Sequence, residues 1–440
     1  MAQTLDLTGE EAVLVHLLDA PKGSEWERHP SATQLGVSEG TGLERSYVSV
    51  VLKKALSNGS VSRSLDRVSG SARKVAVFCL TPAGFERALS VKQRLMGSRV
   101  RVKADGKICD MEMREALKFF SGETVASLAA KVQKGVPEAD SDKPILEEIA
   151  AARKLLDGDR QADCAALMRS KAQRWIRAGF HDEFLGLSAS LKKSRIPVED
   201  AAALLLAEAD IYETRGDWER ARMRLDLIEC ELPRVKGEAM FRLGVIAYRQ
   251  NALEAAEKLY AQADALVEGD DPLKGRLLNA MGIIEWSREN ASEASRKYAE
   301  AERIALEFGD AEGLMRVRAN LGILAMDAGE LAKAIDYYAK AITAAEAMDD
   351  VRAVCSLYSN VGDVYAQKGD RNEARRFYER SMSLAGKLSF RWQIAELHRS
   401  LAGVTEGSER EKHLRNALEI FQELGSESDA YKVKEMIGEG

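Results

Sequence analysis

The sequence predicts a mainly α-helical protein in which a long helical solenoid follows a smaller N-terminal unit that combines helices with a β-hairpin. One pattern of small and large residues recurs five times, at intervals of 35 to 40 residues, from the middle of the chain almost to its end. The first hundred residues instead change from helical to strand-like patterning and back, which is typical of a small mixed unit.

The first helices are predicted from their starting signals. Thr8, followed three residues later by Glu11, has the order of a capping box and precedes an apolar run, so a helix is expected over residues 9–19. A short second helix is expected over residues 33–39. A third is expected over residues 43–58, with Val48, Leu52 and Ala55 forming its buried stripe.

A hairpin and a fourth helix complete the N-terminal unit. Residues 60–67 and 73–80 have strand-like patterning, and residues 68–72 between them are expected to form a flexible tip. Thr81 and Pro82 then begin another helix, because threonine is a frequent N-cap and proline is tolerated in the first turn.

This order of elements resembles a winged helix-turn-helix domain. The stretch TQLGVSEGTGLERSYVSVVLKKALSNGSV is similar to its paired helices, and RKVAVFCLTPAG is similar to its second wing strand and closing helix. In such domains the third helix enters the major groove of DNA and the wing touches the backbone. The resemblance therefore implies groove-facing side chains on the third helix, namely Arg45, Ser46, Tyr47, Ser49 and Lys53. It also implies phosphate-facing side chains on the hairpin, namely Arg63, Arg67, Arg73 and Lys74.

The distribution of charge supports contact with nucleic acid in this region. The formal net charge of the chain is -6, but residues 45–100 contain 11 basic residues against two acidic ones. Such a segment is a candidate phosphate-facing surface. Winged helices also serve as docking or dimerisation modules, so contact with protein is the alternative.

A connector is predicted between the two halves of the chain. Residues 99–111 alternate around Asp105 and Gly106, which is a strong signal for a hairpin. Two short helices are expected over residues 112–120 and 124–134. A polar, proline-flanked linker follows at residues 135–144, so we expect domains over residues 1–98, 99–144 and 145–440.

The repeated pattern has fixed spacing. Its copies begin at Ala209, Gly244, Gly282, Gly322 and Gly362. Twelve residues after each start comes an alanine, and sixteen after comes Leu225, Tyr260, Tyr298, Tyr338 or Tyr378. Small residues suit the close crossing of two helices, and large aromatic rings fill the space beside it. The tyrosines are therefore interpreted as core residues rather than an aromatic cage.

This pattern resembles the tetratricopeptide repeat. Weaker copies flank it at residues 172–191 and 402–424, and a capping helix is expected over residues 428–437, so about seven helix pairs are expected in a tetratricopeptide-like α-solenoid. A winged-helix start with such an array at the end is also reminiscent of archaeal regulators that carry a STAND-class NTPase between them. The sequence lacks a G-x-x-x-x-G-K-[ST] motif, so the resemblance implies a regulator without the NTPase.

The resemblance to the tetratricopeptide repeat places polar side chains on the concave face of the array. The candidate partner-binding residues are Arg276, Asn279, Arg316, Asn320 and Asn360. Asparagine both donates and accepts hydrogen bonds, so a row of them is suited to the backbone of an extended peptide. The alternative is that Asn320 and Asn360 bond between helices.

The sequence contains no signature of catalysis. The five histidines are far apart in sequence, and neither they nor the five isolated cysteines have the spacing of a metal site, so no cofactor or metal is expected. Isolated thiols fit a reducing compartment, and no apolar run is long enough to span a membrane, so a cytoplasmic protein is expected.

Together these observations predict a non-enzymatic transcriptional regulator. Its N-terminal domain is expected to bind duplex DNA, with homodimerisation left open, and its array is expected to bind a protein, peptide or small signal. The alternative is a scaffold or assembly protein whose winged helix contacts protein.

Overall fold

A computed structural model describes residues 5, 7–20, 29–68, 74–104, 107–120, 123–137, 143–177, 180–191, 195–215, 217–228, 232–267, 269, 271–387, 390–424 and 426–438. These residues contain twenty-two α-helices and four β-strands. The mainly α-helical fold class is therefore confirmed. The chain forms two compact units, one of Met1–Ala88 with Gly97–Asn290 and the other of Leu89–Met96 with Ala291–Gly440.

The N-terminal elements follow the predicted order. They are α1 (Gly9–Asp19), a 3-10 helix (Pro30–Ala32), α2 (Gln34–Thr41), α3 (Arg45–Ser57), β1 (Val61–Asp66), β2 (Val75–Leu80) and α4 (Pro82–Met96). The predicted capping box is present, since Thr8 accepts a hydrogen bond from the backbone N–H of Glu11 and the Glu11 carboxylate accepts one from that of Thr8. β1 and β2 pair in antiparallel register, with Val61 opposite Leu80. The predicted tip at residues 68–72 lies, apart from Val68, outside the described residues.

The helices and hairpin of the N-terminal region share one apolar core. α1, α2, α3, β1 and β2 all contribute buried side chains to it: Val13, Leu14, Val37, Val48, Leu52, Ala55, Val61 and Phe78. Val48, Leu52 and Ala55 are buried as predicted, and Val51 joins them. The opposite side of α3 is left facing solvent.

The connector also has the predicted elements. They are β3 (Arg99–Ala104), β4 (Lys107–Glu112), α5 (Met113–Phe119) and α6 (Val125–Lys134). β3 and β4 form a second two-stranded antiparallel sheet. Thr124 caps α6 by accepting a hydrogen bond from the backbone N–H of Ser127.

Helices occupy the remainder of both units. In the first unit they are α7 (Lys143–Asp157), α8 (Gln161–Arg177), α9 (His181–Ser190), α10 (Val198–Thr214), α11 (Trp218–Asp226), α12 (Pro233–Arg249), α13 (Leu253–Asp264) and α14 (Pro272–Ser287). In the second unit they are α15 (Ala291–Phe308), α16 (Ala311–Asp327), α17 (Leu331–Ala347), α18 (Val351–Gln367), α19 (Arg371–Lys387), α20 (Arg391–Val404), α21 (Gly407–Glu423) and α22 (Glu427–Ile437).

The repeat positions pack as their spacing predicts. A Cβ atom added to Gly322 would lie only 2.6 Å from Cε1 of Tyr338, so the ring occupies the space that a side chain at this glycine would need. Gly244 has the same relationship to Tyr260, at 2.5 Å. Tyr260, Tyr298, Tyr338 and Tyr378 are all buried, which confirms that they are core residues and not a cage.

The flanking pairs are confirmed as helices. Residues 172–191 fall on α8 and α9, where Trp175 and Phe184 pack edge to face with ring centroids 6.3 Å apart. Residues 402–424 fall on α20 and α21, joined by a short turn at Thr405 and Glu406. The expected capping helix is α22, with Ala430 and Val433 buried.

Candidate functional site

The predicted DNA-facing side of α3 is exposed. Arg45, Ser46, Tyr47 and Lys53 lie on the surface, and Ser49 is half-buried. Because Val48, Val51, Leu52 and Ala55 pack into the core, the helix can present only this side to a partner. One edge of the Tyr47 ring lies against Gly9 of α1, where an added Cβ would come within 2.7 Å of Cε1.

Apolar side chains interrupt this polar surface. Val50 on α3 is 62% exposed, and Leu65 on β1 is 65% exposed. Tyr47 is itself 49% exposed. The surface therefore combines cations with apolar groups, and isolated exposed apolar residues are common on protein surfaces.

The hairpin presents cations on its outer part. Arg63 stands opposite Phe78 in the register of β1 and β2, and its side chain is exposed. Arg67 and Lys74, which lie beyond the ends of the strands, are exposed as well. Arg73 lies outside the described residues.

Two of the basic residues counted in the sequence are already bound within the protein. The buried carboxylate of Glu10 on α1 pairs with Lys54, at 3.2 Å, and with Arg87. It also accepts a hydrogen bond from Asn58 at 2.9 Å. Burial raises the pKa of Glu10, but the hydrogen bonds from Asn58, Lys54 and Arg87 outweigh it, so the pKa lies below its usual value. Lys54 and Arg87 thus hold α1 to α3 and α4.

Both candidate arginines of the array pair with glutamates of the protein itself. Arg276 on α14 pairs with Glu238 on α12 at 2.9 Å, and its guanidinium lies over the Phe241 ring, 4.4 Å from the centroid. Arg316 on α16 is exposed and pairs with Glu312 one turn earlier, at 2.7 Å. Exposed pairs of this kind contribute little to stability, so Arg316 can exchange its partner easily.

The candidate asparagines do not share one repeat position. Asn320 and Asn360 each lie two residues before the repeat glycine, whereas Asn279 lies three residues before Gly282. One residue rotates an α-helix by about 100°, so Asn279 does not continue the row of the other two. All three side chains are half-buried, and Asn279 and Asn320 also interact with other residues of the protein.

Two histidines that lie fifteen residues apart in the sequence meet in the fold. His398 on α20 and His413 on α21 contact each other through their Nδ1 atoms, 2.9 Å apart. No short sequence motif marks this pair, because the contact is made across two helices. Within the described part of the chain, no group of three His, Cys, Asp or Glu side chains is arranged to hold a metal ion. Among the described helices, none has the length and hydrophobicity that crossing a lipid bilayer requires.

Comparison with known proteins identifies the repeats. Residues 310–387 match the sequence profile of the tetratricopeptide repeat. Among the curated proteins, none matches the chain. The solved structures that resemble it include a Rap protein complexed with competence and sporulation factor, with 14% identity and a TM-score of 0.50 over 62% of this chain and 80% of that one.

A second similar structure also contains tetratricopeptide repeats. It is a signal transduction ATPase with numerous domains, a STAND protein with a tetratricopeptide repeat sensor, from Pyrococcus horikoshii. Its identity to this chain is 17%, and its TM-score is 0.49 over 99% of this chain and 61% of that one. The chain thus carries tetratricopeptide repeats, at residues 310–387, within a mainly helical solenoid.

Proposed function

We propose that this protein is a transcriptional regulator that binds duplex DNA through an N-terminal winged helix, residues 1–98. The observation that carries the proposal is the exposure of five cations on α3 and the hairpin: Arg45, Lys53, Arg63, Arg67 and Lys74. None of these side chains forms an ion pair with a carboxylate among the described residues. They are therefore available to phosphates, which supply most of the affinity in protein–DNA binding.

In this proposal, residues 99–144 connect the DNA-binding domain to an array of helices, residues 145–440. The array binds a protein or peptide. Tetratricopeptide arrays are interaction scaffolds, and stacked helix pairs create extended concave surfaces suited to that purpose. The Rap protein of similar fold was solved with a competence and sporulation factor bound, which is an example of a partner held by this architecture. Arg276, Asn279, Arg316, Asn320 and Asn360 are the side chains that we propose contact the partner.

A scaffold protein whose winged helix contacts another protein is the second candidate. The exposed side chains of Tyr47, Val50 and Leu65 favour it, because aromatic and aliphatic groups are typical of protein interfaces and Val50 and Leu65 add nothing to phosphate binding. The two candidates differ in their response to salt, because only contacts with DNA release counterions from the phosphate backbone.

Binding of the full chain to duplex DNA tests the leading proposal. Fluorescence anisotropy over a range of salt concentrations gives the slope of log K against log salt, which steepens by about 0.9 for each phosphate neutralised. Replacing Arg63, Arg67, Arg73 and Lys74 together by alanine should weaken binding on all sequences and flatten the slope by about one for each phosphate that is no longer neutralised.

Lys54→Ala is the matched control for that variant. It removes a cation from α3 instead of the hairpin, and that cation is paired with Glu10, so the salt dependence should stay close to that of the wild type. If the full chain shows no affinity for DNA at low salt, the scaffold candidate is correct instead.

The proposed role of the array is tested by replacing Asn320 and Asn360 with alanine. Capture of a partner from cell extract should weaken with little change in the melting temperature, because both side chains are only half-buried. A parallel decrease in capture and in melting temperature would show that these asparagines bond between helices.

A further inference from the structure

A pocket of about 780 Å³ opens among α9, α10 and α11 in the first unit. Its walls are mainly aliphatic and come from all three helices and the residues that follow them: Leu185, Leu191, Val198, Leu205, Leu227 and Ile228. Val198 is 58% exposed and Leu227 is 57% exposed, so apolar side chains also surround it at the surface. Pockets of this size with mostly apolar walls are typical of sites for small molecules.

One part of the pocket is polar and built from buried groups. Ser188 is fully buried and donates a hydrogen bond from Oγ to the Glu208 carboxylate at 2.5 Å. Glu208 is only 6% exposed, and its other carboxylate oxygen lies 2.8 Å from Nε of Arg224. The Tyr212 ring supports the Arg224 guanidinium at 5.7 Å. All four residues line the pocket.

The chemistry of this polar part favours a ligand without charge. Glu208 and Arg224 neutralise each other, so a charged headgroup would meet one attractive and one repulsive charge on leaving water. A neutral group that both donates and accepts would find partners in a carboxylate, a guanidinium and a hydroxyl. Nε of Arg224 is buried and has no hydrogen-bond partner among the described atoms, since its contact with Glu208 lacks hydrogen-bond geometry.

Gly186 is an exposed residue at the edge of the pocket. It lies in the middle of α9, where glycine destabilises a helix relative to alanine. A Cβ atom added there would meet no described atom within 4 Å, so a side chain at this position has open space beside it. Gly186 lines the pocket, so a larger side chain at this position would extend into its space.

We infer that this pocket binds a small, neutral amphipathic molecule, with an apolar chain against the aliphatic walls and an amide or hydroxyl headgroup at Ser188, Glu208 and Arg224. This site is separate from the proposed contacts of Asn320 and Asn360, and it does not depend on DNA binding. It gives the array a small-molecule ligand in addition to a protein partner.

Three probes with the same ten-carbon chain test the inference on the full protein: decanamide, decanoate and decylamine. Isothermal titration calorimetry near neutral pH should show decanamide binding about tenfold more tightly than either charged probe, because each charged headgroup faces a like charge in the pocket. Tighter binding of decanoate or decylamine, equal binding of all three, or no binding of any would overturn the inference.

Three variants test whether the binding takes place in this pocket. Gly186→Leu should abolish decanamide binding by occupying the pocket, whereas Gly186→Ala, which adds one methyl group, should keep most of it and serves as the matched control. Glu208→Gln leaves the Arg224 charge uncompensated, so the preference should move from decanamide toward decanoate. The ratio of the two affinities is informative even if the variant is less stable. Unchanged binding by Gly186→Leu would contradict the proposed location.

Discussion

His398 and His413 face each other with their Nδ1 atoms 2.9 Å apart, so one ring must donate a hydrogen bond and the other must accept it. The two rings cannot both be protonated at Nδ1 and keep this contact. Burial, followed by the positive charges of His413 and Lys412, lowers the pKa of His398 to about 4. Burial also lowers the pKa of His413, where repulsion from Arg375 and Lys412 is opposed by attraction to Glu409 and Glu379.

The histidine pair predicts a loss of stability in mildly acidic solution. An imidazole in the unfolded chain takes up a proton near its ordinary pKa of 6.5, whereas folded His398 does so only near 4. Between these values the unfolded state binds more protons than the folded state. The contribution of the pair to the free energy of unfolding is therefore fully present above pH 6.5 and falls as the pH decreases. Replacing both His398 and His413 by glutamine should reduce the difference in melting temperature between about pH 7.5 and about pH 5.

Burial also lowers the pKa of His16, so the double variant should keep a residual dependence. If the double variant keeps the whole wild-type dependence, the pair does not couple folding to pH.

Tyr338 and Tyr378 occupy the same repeat position but have different hydroxyl environments. The Tyr338 hydroxyl is buried and has no hydrogen-bond partner among the described atoms. The Tyr378 hydroxyl donates to Asp363 at 2.7 Å, and burial raises the pKa of that carboxyl. Tyr338→Phe should therefore be neutral or slightly stabilising. Tyr378→Phe should cost about 1–3 kcal/mol, because it removes a donor from a poorly solvated carboxylate.

Thermal melts of the two phenylalanine variants measure this difference directly, and each variant is the control for the other. The ring is retained in both, so the packing against Gly322 or Gly362 is unchanged. Equal shifts in melting temperature would mean that the hydrogen bond to Asp363 contributes nothing beyond the ring.

The packing of the repeats could be predicted from the sequence because it depends on local spacing. Gly322 and Tyr338 lie sixteen residues apart, and the two helices that carry them form a hairpin, so a small residue and a large one at that spacing meet. The capping box of Thr8 and Glu11 could be predicted for the same reason, since both residues lie within one helical turn.

Contacts that depend on the placement of whole helices could not be predicted in this way. Ser188, Glu208 and Arg224 lie on three successive helices, and their meeting depends on how those helices cross. The same holds for His398 and His413, whose contact follows from the short turn between α20 and α21. Counting charges also overestimated the cations available to DNA, because Lys54 and Arg87 pair with Glu10, which precedes them by more than forty residues.

Gly322→Ala is predicted to destabilise the second unit. Its new Cβ would lie 2.6 Å from a ring that is fully buried, so the ring cannot move aside, and overpacking of this kind costs about 1–3 kcal/mol. Adding Tyr338→Leu should recover part of that stability, because the smaller side chain leaves room for the methyl group. A double-mutant cycle by thermal denaturation measures the coupling, and strictly additive effects would contradict the contact.

Gly386→Ala is the matched control for Gly322→Ala. Gly386 also lies in a helix of the second unit, but an added Cβ there meets no described atom within 4 Å. Alanine should therefore stabilise the protein by up to about 1 kcal/mol through helix propensity alone. A destabilisation at Gly386 equal to that at Gly322 would mean that the backbone, and not the tyrosine ring, rejects the methyl group.

Val50→Arg tests whether the exposed side of α3 faces DNA. Val50 is 62% exposed, so arginine can replace it with little effect on the core, and it lies one turn from both Tyr47 and Lys53. If this side approaches the phosphates, the new cation should tighten DNA binding by the full chain and steepen the salt dependence by about one.

Met223→Arg is the control for a general effect of added charge, because Met223 on α11 is also exposed. If the two variants increase DNA affinity equally, the effect is non-specific. If Val50→Arg instead weakens binding to a protein partner and leaves DNA binding unchanged, the apolar groups of α3 belong to a protein interface.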